Sequence, residues 1–297
     1  MPHFLSFAEV PASELHRLVE RAALMKAQGL RPPHLAGKTV ALIFEKHSTR
    51  TRVSFEVAVR HLGGSTVFLT PVDSQLGRSE PLCDTARVLS RYVDALVVRT
   101  FAQANLEELA RFGSIPVINA LSDLLHPCQV LGDVLTMYER TPKLDELVVA
   151  WVGDGNNMAN SWIEAAAVFG FTLRVATPVG FAPDAGVVRF ARSRGARLEI
   201  GHDPKAAVAG AHYVNTDVWA SMGQEAEATV RQQAFAGFQV DEALMALAHP
   251  QAKFLHCLPA HRGEEVSAAV FEGPQSIVFD QAENRLHIQK AIVEWAV

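Results

Sequence analysis

Cysteine is scarce in this chain of 297 residues: Cys83, Cys128 and Cys257 are all there is. An odd number cannot pair fully within one chain, and none of the three falls in a CxxC or other zinc-ligand spacing. A disulfide framework is therefore not expected, and a reduced, cytoplasmic setting is. Basic charge is not in excess either, since 27 Lys and Arg stand against 32 Asp and Glu for a net charge of −5. No polyanion-binding face follows, so nucleic acid is not an expected partner, and any phosphate must be held by a local cluster of arginines and amides. Long apolar runs are missing too. The longest, such as residues 147–152, fall far short of the ~18 needed to span a bilayer, so no membrane partner is expected. The first residues, Met1-Pro2-His3-Phe4, carry no basic segment and meet Glu9 before any apolar run, which does not read as a signal peptide.

What is present is an alternation. A hydrophobic content of 49% over 297 residues suffices for two cores, and the length suggests about two domains. A helix capped by Ser13 is predicted to run to Gly29, followed by strands over 39–45, 67–70, 95–99 and 116–120. Helices over 52–62, 80–92 (capped by Ser79), 106–112 and 127–140 lie between and after them. Thr141-Pro142-Lys143 marks the expected boundary, because proline cannot continue the helix before it. Strands then resume over 147–152, 172–176, 213–217, 254–257 and 276–279, with a last helix over 285–296. The pattern predicts two similar-sized α/β domains, 1–141 and 142–284, each with a central parallel sheet flanked by helices. The C-terminal helix, 285–297, is expected to pack back on the first domain.

Ligands of open parallel sheets bind beyond the carboxyl ends of the strands, so those positions carry the chemistry. Ser48-Thr49-Arg50-Thr51-Arg52 follows the first strand and opens a helix. Free N–H groups, a helix dipole and a guanidinium make an anion site there, although the same segment also reads as a capped helix with a solvated basic end. Arg50 and Arg52, two apart, point in different directions, so one of them is expected to touch the anion. Arg99 ends another strand, and in His126-Pro127-Cys128-Gln129 the proline fits the first helical position, with His126 as the cap. A histidine and an amide beside an anion site can polarise a carbonyl. The turn Gly153-Asp154-Gly155-Asn156-Asn157-Met158 imitates a dinucleotide fingerprint but lacks its third glycine and the acid about 20 residues on. Asn156 and Asn157 suit a small zwitterion better. Asp217, at a strand end before Ala220-Ser221-Met222-Gly223, suits an ammonium group, with a turn or cap residue as the plain alternative. Cys257, in His256-Cys257-Leu258-Pro259, shows no spacing that marks a nucleophile.

Taken together and in this order, Ser48-Thr49-Arg50-Thr51-Arg52, His126-Pro127-Cys128-Gln129, Asp217-Val218-Trp219-Ala220-Ser221-Met222-Gly223 and His256-Cys257-Leu258-Pro259 resemble the aspartate/ornithine carbamoyltransferase family, and the last two point to ornithine as acceptor. The resemblance implies transfer of a carbamoyl group from carbamoyl phosphate to the δ-amine of L-ornithine, in arginine biosynthesis, without metal or organic cofactor. It implies that Ser48, Thr49, Arg50, Thr51, Gln75, Arg99, His126, Gln129 and Arg285 address carbamoyl phosphate. It likewise implies that Asn157, Asp217, Ser221, Met222, Cys257 and Leu258 address ornithine, with Arg50, Arg99, His126 and Cys257 as the catalytic groups. Gln75 matches a loop that reaches a neighbouring subunit's site, which implies a homotrimer or a multiple of trimers. An aspartate-directed relative, a nicotinamide-dependent dehydrogenase and a catalytically silent binding protein are the rivals, the second disfavoured by Met158.

Overall fold

A computed structural model describes residues 2–46, 48–70, 80–220 and 228–297. It divides into two compact units, Met1–Leu135 with Glu283–Val297, and Thr136–Ala282.

The first unit runs α1 (Ala12–Ala27), β1 (Thr39–Phe44), α2 (Thr49–His61), β2 (Ser65–Leu69), α3 (Leu82–Leu89), β3 (Ala95–Arg99), α4 (Gln103–Phe112), β4 (Val117–Leu121) and α5 (Pro127–Tyr138), the last of which crosses into the second unit's span. Its sheet is wholly parallel, in the order β2-β1-β3-β4. β3 and β4 are buried along their whole length and β1 in all but its first residue, which is why they read as continuous apolar runs and not as alternations. Phe4 makes a parallel bridge to Ile118 and covers the β4 edge. A core of Ala41, Ile43, Leu96, Val98, Leu106 and Leu109 fills the space between sheet and helices.

The second unit continues with β5 (Val148–Val152), α6 (Asn157–Phe169), β6 (Thr172–Ala176), α7 (Ala185–Ser193), β7 (Leu198–Gly201), α8 (Pro204–Val208), β8 (Tyr213–Thr216), α9 (Ala228–Ala234), α10 (Glu242–Met245), β9 (Lys253–His256) and α11 (Ala268–Phe271). Its parallel sheet has the order β7-β6-β5-β8-β9. Phe235, Phe254, Val214 and Val266 are among the side chains that close its core.

The last helix, α12 (Val278–Ala296), returns the chain to the first unit from Glu283 onward. There Arg21 forks onto Glu294 at 2.7 and 2.8 Å, Lys26 donates to Asn284 at 2.8 Å, and Trp295 meets Phe4 edge to face. α5 packs against it at Gly132, where a Cβ would lie 3.4 Å from the Ile288 side chain, at ordinary contact distance.

Several elements differ from the sequence-based expectation. Residues 276–279 are not a strand: Ser276 makes one bridge to Phe254, and the chain turns helical two residues later. The short edge strand β7 is absent from the sequence-based prediction. α1 begins at Ala12 after Pro11, not under a Ser13 cap, because Glu14 and Leu15 both bond the Pro11 carbonyl. α2 begins at Thr49, three residues before the predicted start, because Ser48 caps it. α3 begins at Leu82, and its predicted cap Ser79 lies outside the described residues. Among the described residues no helix is long and apolar enough to cross a membrane.

Candidate active site

In both sheets the chain reverses its direction of build beside the first strand, between β1 and β3 and between β5 and β8. Crevices outside the carboxyl ends at such switch points are where open α/β sheets bind ligands. Among the described residues, the predicted site residues follow the carboxyl ends of β1, β3, β4, β5, β8 and β9, with Arg285 supplied by α12.

In the first unit, Ser48 caps α2 by accepting the Thr51 N–H at 3.3 Å. Thr49 and Arg50 are exposed at the helix mouth, whereas Arg52 turns away to stack on Phe68 at 3.7 Å and donates to Glu56 at 2.9 Å. Of the two arginines, then, Arg50 is the one left for a ligand. Thr51 is buried and its Oγ1 accepts from Arg285 Nη2 at 2.5 Å, which ties α12 to the mouth of α2. Arg99 is buried at the end of β3, where the register against β4 shifts between Val98 and Arg99. Such an irregularity re-aims a side chain at a strand end.

His126 precedes Pro127 at the start of α5, and its carbonyl accepts from Gln129 and Val130. Its imidazole is buried, and burial first, then the charges of Arg285 and Arg99, hold its pKa well below the ordinary 6.5. The ring is neutral at pH 7 and offers one N–H. Gln129 Nε2 donates to Asp133 at 2.8 Å, while its Oε1 has no hydrogen-bond partner among the described residues. Cys128 next to it is buried, bonds the Asn119 carbonyl, and has its thiol pKa pushed up by burial. It is a packing residue. Gln75 lies outside the described residues.

In the second unit Asp217, buried just after β8, is the centre. Its Oδ2 accepts from Asn156 Nδ2 at 2.9 Å, and its Oδ1 accepts the Val218 N–H at 2.8 Å and the Cys257 thiol at 3.1 Å. Asn156 also caps α6 through the Met158 and Ala159 N–H groups, which makes Asn157 the first residue of that helix. Ser221 and Met222 lie outside the described residues. Beside this cluster the buried Arg231 donates to Asp154 at 2.8 Å and to the Trp219 carbonyl at 2.9 Å. Burial raises the Asp154 pKa and the Arg231 charge opposes the rise.

Cys257 and Leu258 follow β9. Leu258 has φ +64°, the sole non-glycine residue of positive φ among the described residues, a conformation that costs an L-residue roughly 1–2 kcal/mol. His256 Nδ1 accepts its N–H at 2.9 Å, and His256 Nε2 lies 3.1 Å from Glu265 Oε1. Asp217, His256 and Cys257 bring ligand atoms within 4.8 Å of one another, a set that could hold a thiophilic ion. Both imidazole nitrogens are nonetheless engaged, by Leu258 and by Glu265. His256, Glu265 and Arg231, which the structure brings beside these predicted residues, were not among the sequence-predicted site residues. Arg231 and Glu265 carry no motif, and His256 is hidden inside one.

The chain matches two family models in succession: the carbamoyl-phosphate binding domain of aspartate/ornithine carbamoyltransferase over residues 2–139, and the aspartate/ornithine binding domain over residues 145–296. It is 63% identical over 293 residues to an ornithine carbamoyltransferase of Nitratidesulfovibrio vulgaris, covering 99% of this chain and 98% of that one. Among solved structures it is similar to the ornithine carbamoyltransferase of Pyrococcus furiosus, at TM-score 0.93 and 48% identity over 98% of this chain and 95% of that one. It is also similar to that of Thermus thermophilus, at TM-score 0.92 and 44% identity over 100% and 99%.

Proposed function

Because the chain belongs to the aspartate/ornithine carbamoyltransferase family, we propose that it transfers the carbamoyl group of carbamoyl phosphate to the δ-amine of L-ornithine, giving L-citrulline and inorganic phosphate. Ser48, Thr49, Arg50 and Thr51 receive the phosphate at the α2 mouth, with Arg99 and Arg285 as further positive groups and Gln75 contributed by a neighbouring subunit. Backbone N–H groups and guanidinia there match a phosphate in both charge and geometry.

The neutral His126 gives its N–H to the carbamoyl oxygen, and Gln129 Oε1 accepts from the carbamoyl –NH₂. The neutral amine nitrogen attacks, its C–N bond forms, the bond to the phosphate oxygen breaks, and the proton the amine gives up leaves on the released inorganic phosphate. Charge develops on the carbamoyl oxygen and the departing phosphate, and Arg50, Arg99 and His126 stabilise it; preorganised donors are typically worth several kcal/mol. Asn157, Asp217, Ser221 and Met222 hold the amino-acid end of ornithine, and Cys257 and Leu258 line the approach of its δ-amine.

The observation that carries the choice of acceptor is the buried Asp217 carboxylate, joined to Asn156 and Cys257. It attracts an ammonium group and repels the second carboxylate of aspartate. A colorimetric assay should find citrulline from ornithine and no product from aspartate; carbamoyl-aspartate formation would reverse the assignment. The same reading includes a homotrimer or multiple of trimers, working in the cytoplasm in arginine biosynthesis. A cysteine count of three, too few and odd in number for a disulfide framework, supports the reduced setting, and sedimentation of a particle of three chains, or a multiple of three, tests the assembly.

A further inference from the structure

We propose that Glu265 is a positioning residue for the acceptor side of the site: through His256 it holds the Cys257-Leu258 turn in its working conformation. The inference rests on the carbamoyl-transfer reading above, since that reading gives the turn its task.

The chain of contacts is short and enclosed. Leu258 stands in the left-handed region without a glycine's freedom, and its N–H is held by His256 Nδ1 at 2.9 Å. A ring nitrogen that accepts carries no proton, so the imidazole proton sits on Nε2. Nε2 faces Glu265 Oε1 at 3.1 Å, and both side chains are 0% exposed. The same Oε1 also accepts the His261 N–H at 2.6 Å, which anchors the carboxylate from beyond the turn. Glu265 therefore fixes the tautomer, the tautomer fixes the Leu258 N–H, and that bond keeps Leu258 in a conformation it would otherwise leave.

Cys257, between the two, directs its thiol to Asp217 at 3.1 Å, so a change in the turn reaches the acceptor carboxylate. Remove the carboxylate, and a buried Nε2–H is left without an acceptor. The ring then loses the partner that fixes its tautomer and orientation, and the Nδ1 that accepts from Leu258 is no longer held in place. Glu265 Oε2 has no hydrogen-bond partner among the described residues. The task accordingly needs one acceptor oxygen, not two, and a glutamine can supply it.

The test is a pair of variants and one spectrum. Long-range ¹H–¹⁵N correlation on histidine-labelled protein, with the His256 signal identified by its loss in His256→Gln, should show the Nε2–H tautomer in the native chain. Glu265→Ala should depopulate the competent turn and raise the KM for ornithine about tenfold, because apparent affinity falls with the competent fraction. The KM for carbamoyl phosphate should not change. Glu265→Gln should keep the tautomer and an ornithine KM within about twofold of native, as one retained acceptor predicts. An Nδ1–H tautomer in the native chain overturns the proposal even where Glu265→Ala fails to fold. So does a Glu265→Gln variant with the Nδ1–H tautomer, or a Glu265→Ala variant whose two KM values are unchanged or rise together. A native chain that makes no citrulline would defeat the functional reading instead, and would leave the tautomer measurement standing on its own.

Discussion

Burial, then the charges of Arg285 and Arg99, keep the His126 imidazole unprotonated. The consequence for stability has a definite sign. Below pH ~6.5 the unfolded chain binds a proton at this position and the folded chain does not, so stability falls as pH drops. Urea unfolding at pH 7 and pH 5 should therefore show a larger loss for the native chain than for His126→Asn; equal losses would contradict it. Asp217 makes the second prediction at this scale. On the proposed reading, Asp217→Asn would remove a charge-assisted contact to the acceptor's ammonium group, a contact of about 1.5–3 kcal/mol, and should raise the ornithine KM roughly ten- to hundredfold in a citrulline assay. Arg50, His126 and Asp217 stand out in the sequence because each sits in a motif after a strand. Glu265 and Arg231 do not, because their partners, His256 and Asp154, are 9 and 77 residues away in the chain, and only folding brings them together.

At the scale of elements, buried strands were the easiest to read. β3 falls where its apolar run, 95–98, places it, and it is buried along its whole length, since a strand covered on both faces reads as a near-continuous apolar run. β7 was missed for the opposite reason: it is a four-residue edge strand with alternate residues exposed, too short to separate from loop. Residues 276–279 were misread because the β-branched pair Ile277-Val278 looks like a strand, yet β9 is already an edge and takes only the Ser276 bridge. The β5–α6 turn supplies the prediction at this scale. Gly155 lies so near the following segment that a Cβ would sit 2.4 Å from the Ala182 carbonyl carbon and Pro183 nitrogen and 2.5 Å from the Phe181 oxygen. These are backbone atoms, which cannot swing aside. Gly155→Ala should cost about 1–3 kcal/mol in urea unfolding, as overpacking does, whereas Gly201→Ala, with nothing within 4 Å, should leave the midpoint nearly unchanged.

For the molecule as a whole, the alternation of strands and helices announced two α/β units, and the return of the last helix to the first unit was legible from its apolar residues. What no local pattern contained was how much of the first unit that helix holds. Arg285 bonds Thr51 at the mouth of α2, Glu294 takes Arg21 and His34, Lys290 bonds the Leu30 carbonyl, and Trp295 packs on Phe4. The buried Ile288, Ile292 and Val293 contribute roughly 1.5–3 kcal/mol each by their burial, against a total stability of only about 5–15 kcal/mol for a typical domain. A chain ending at Ala282 loses these contacts together and leaves α1 and α5 with an uncovered apolar face. Hydrogen exchange followed by mass spectrometry should then show lost protection across β1 to β4 and α1, with β5 to β9 still protected. Loss spread evenly over both sheets would instead make the chain one cooperative block, and retained protection in the first sheet would reduce the helix to a cover that its unit does not need.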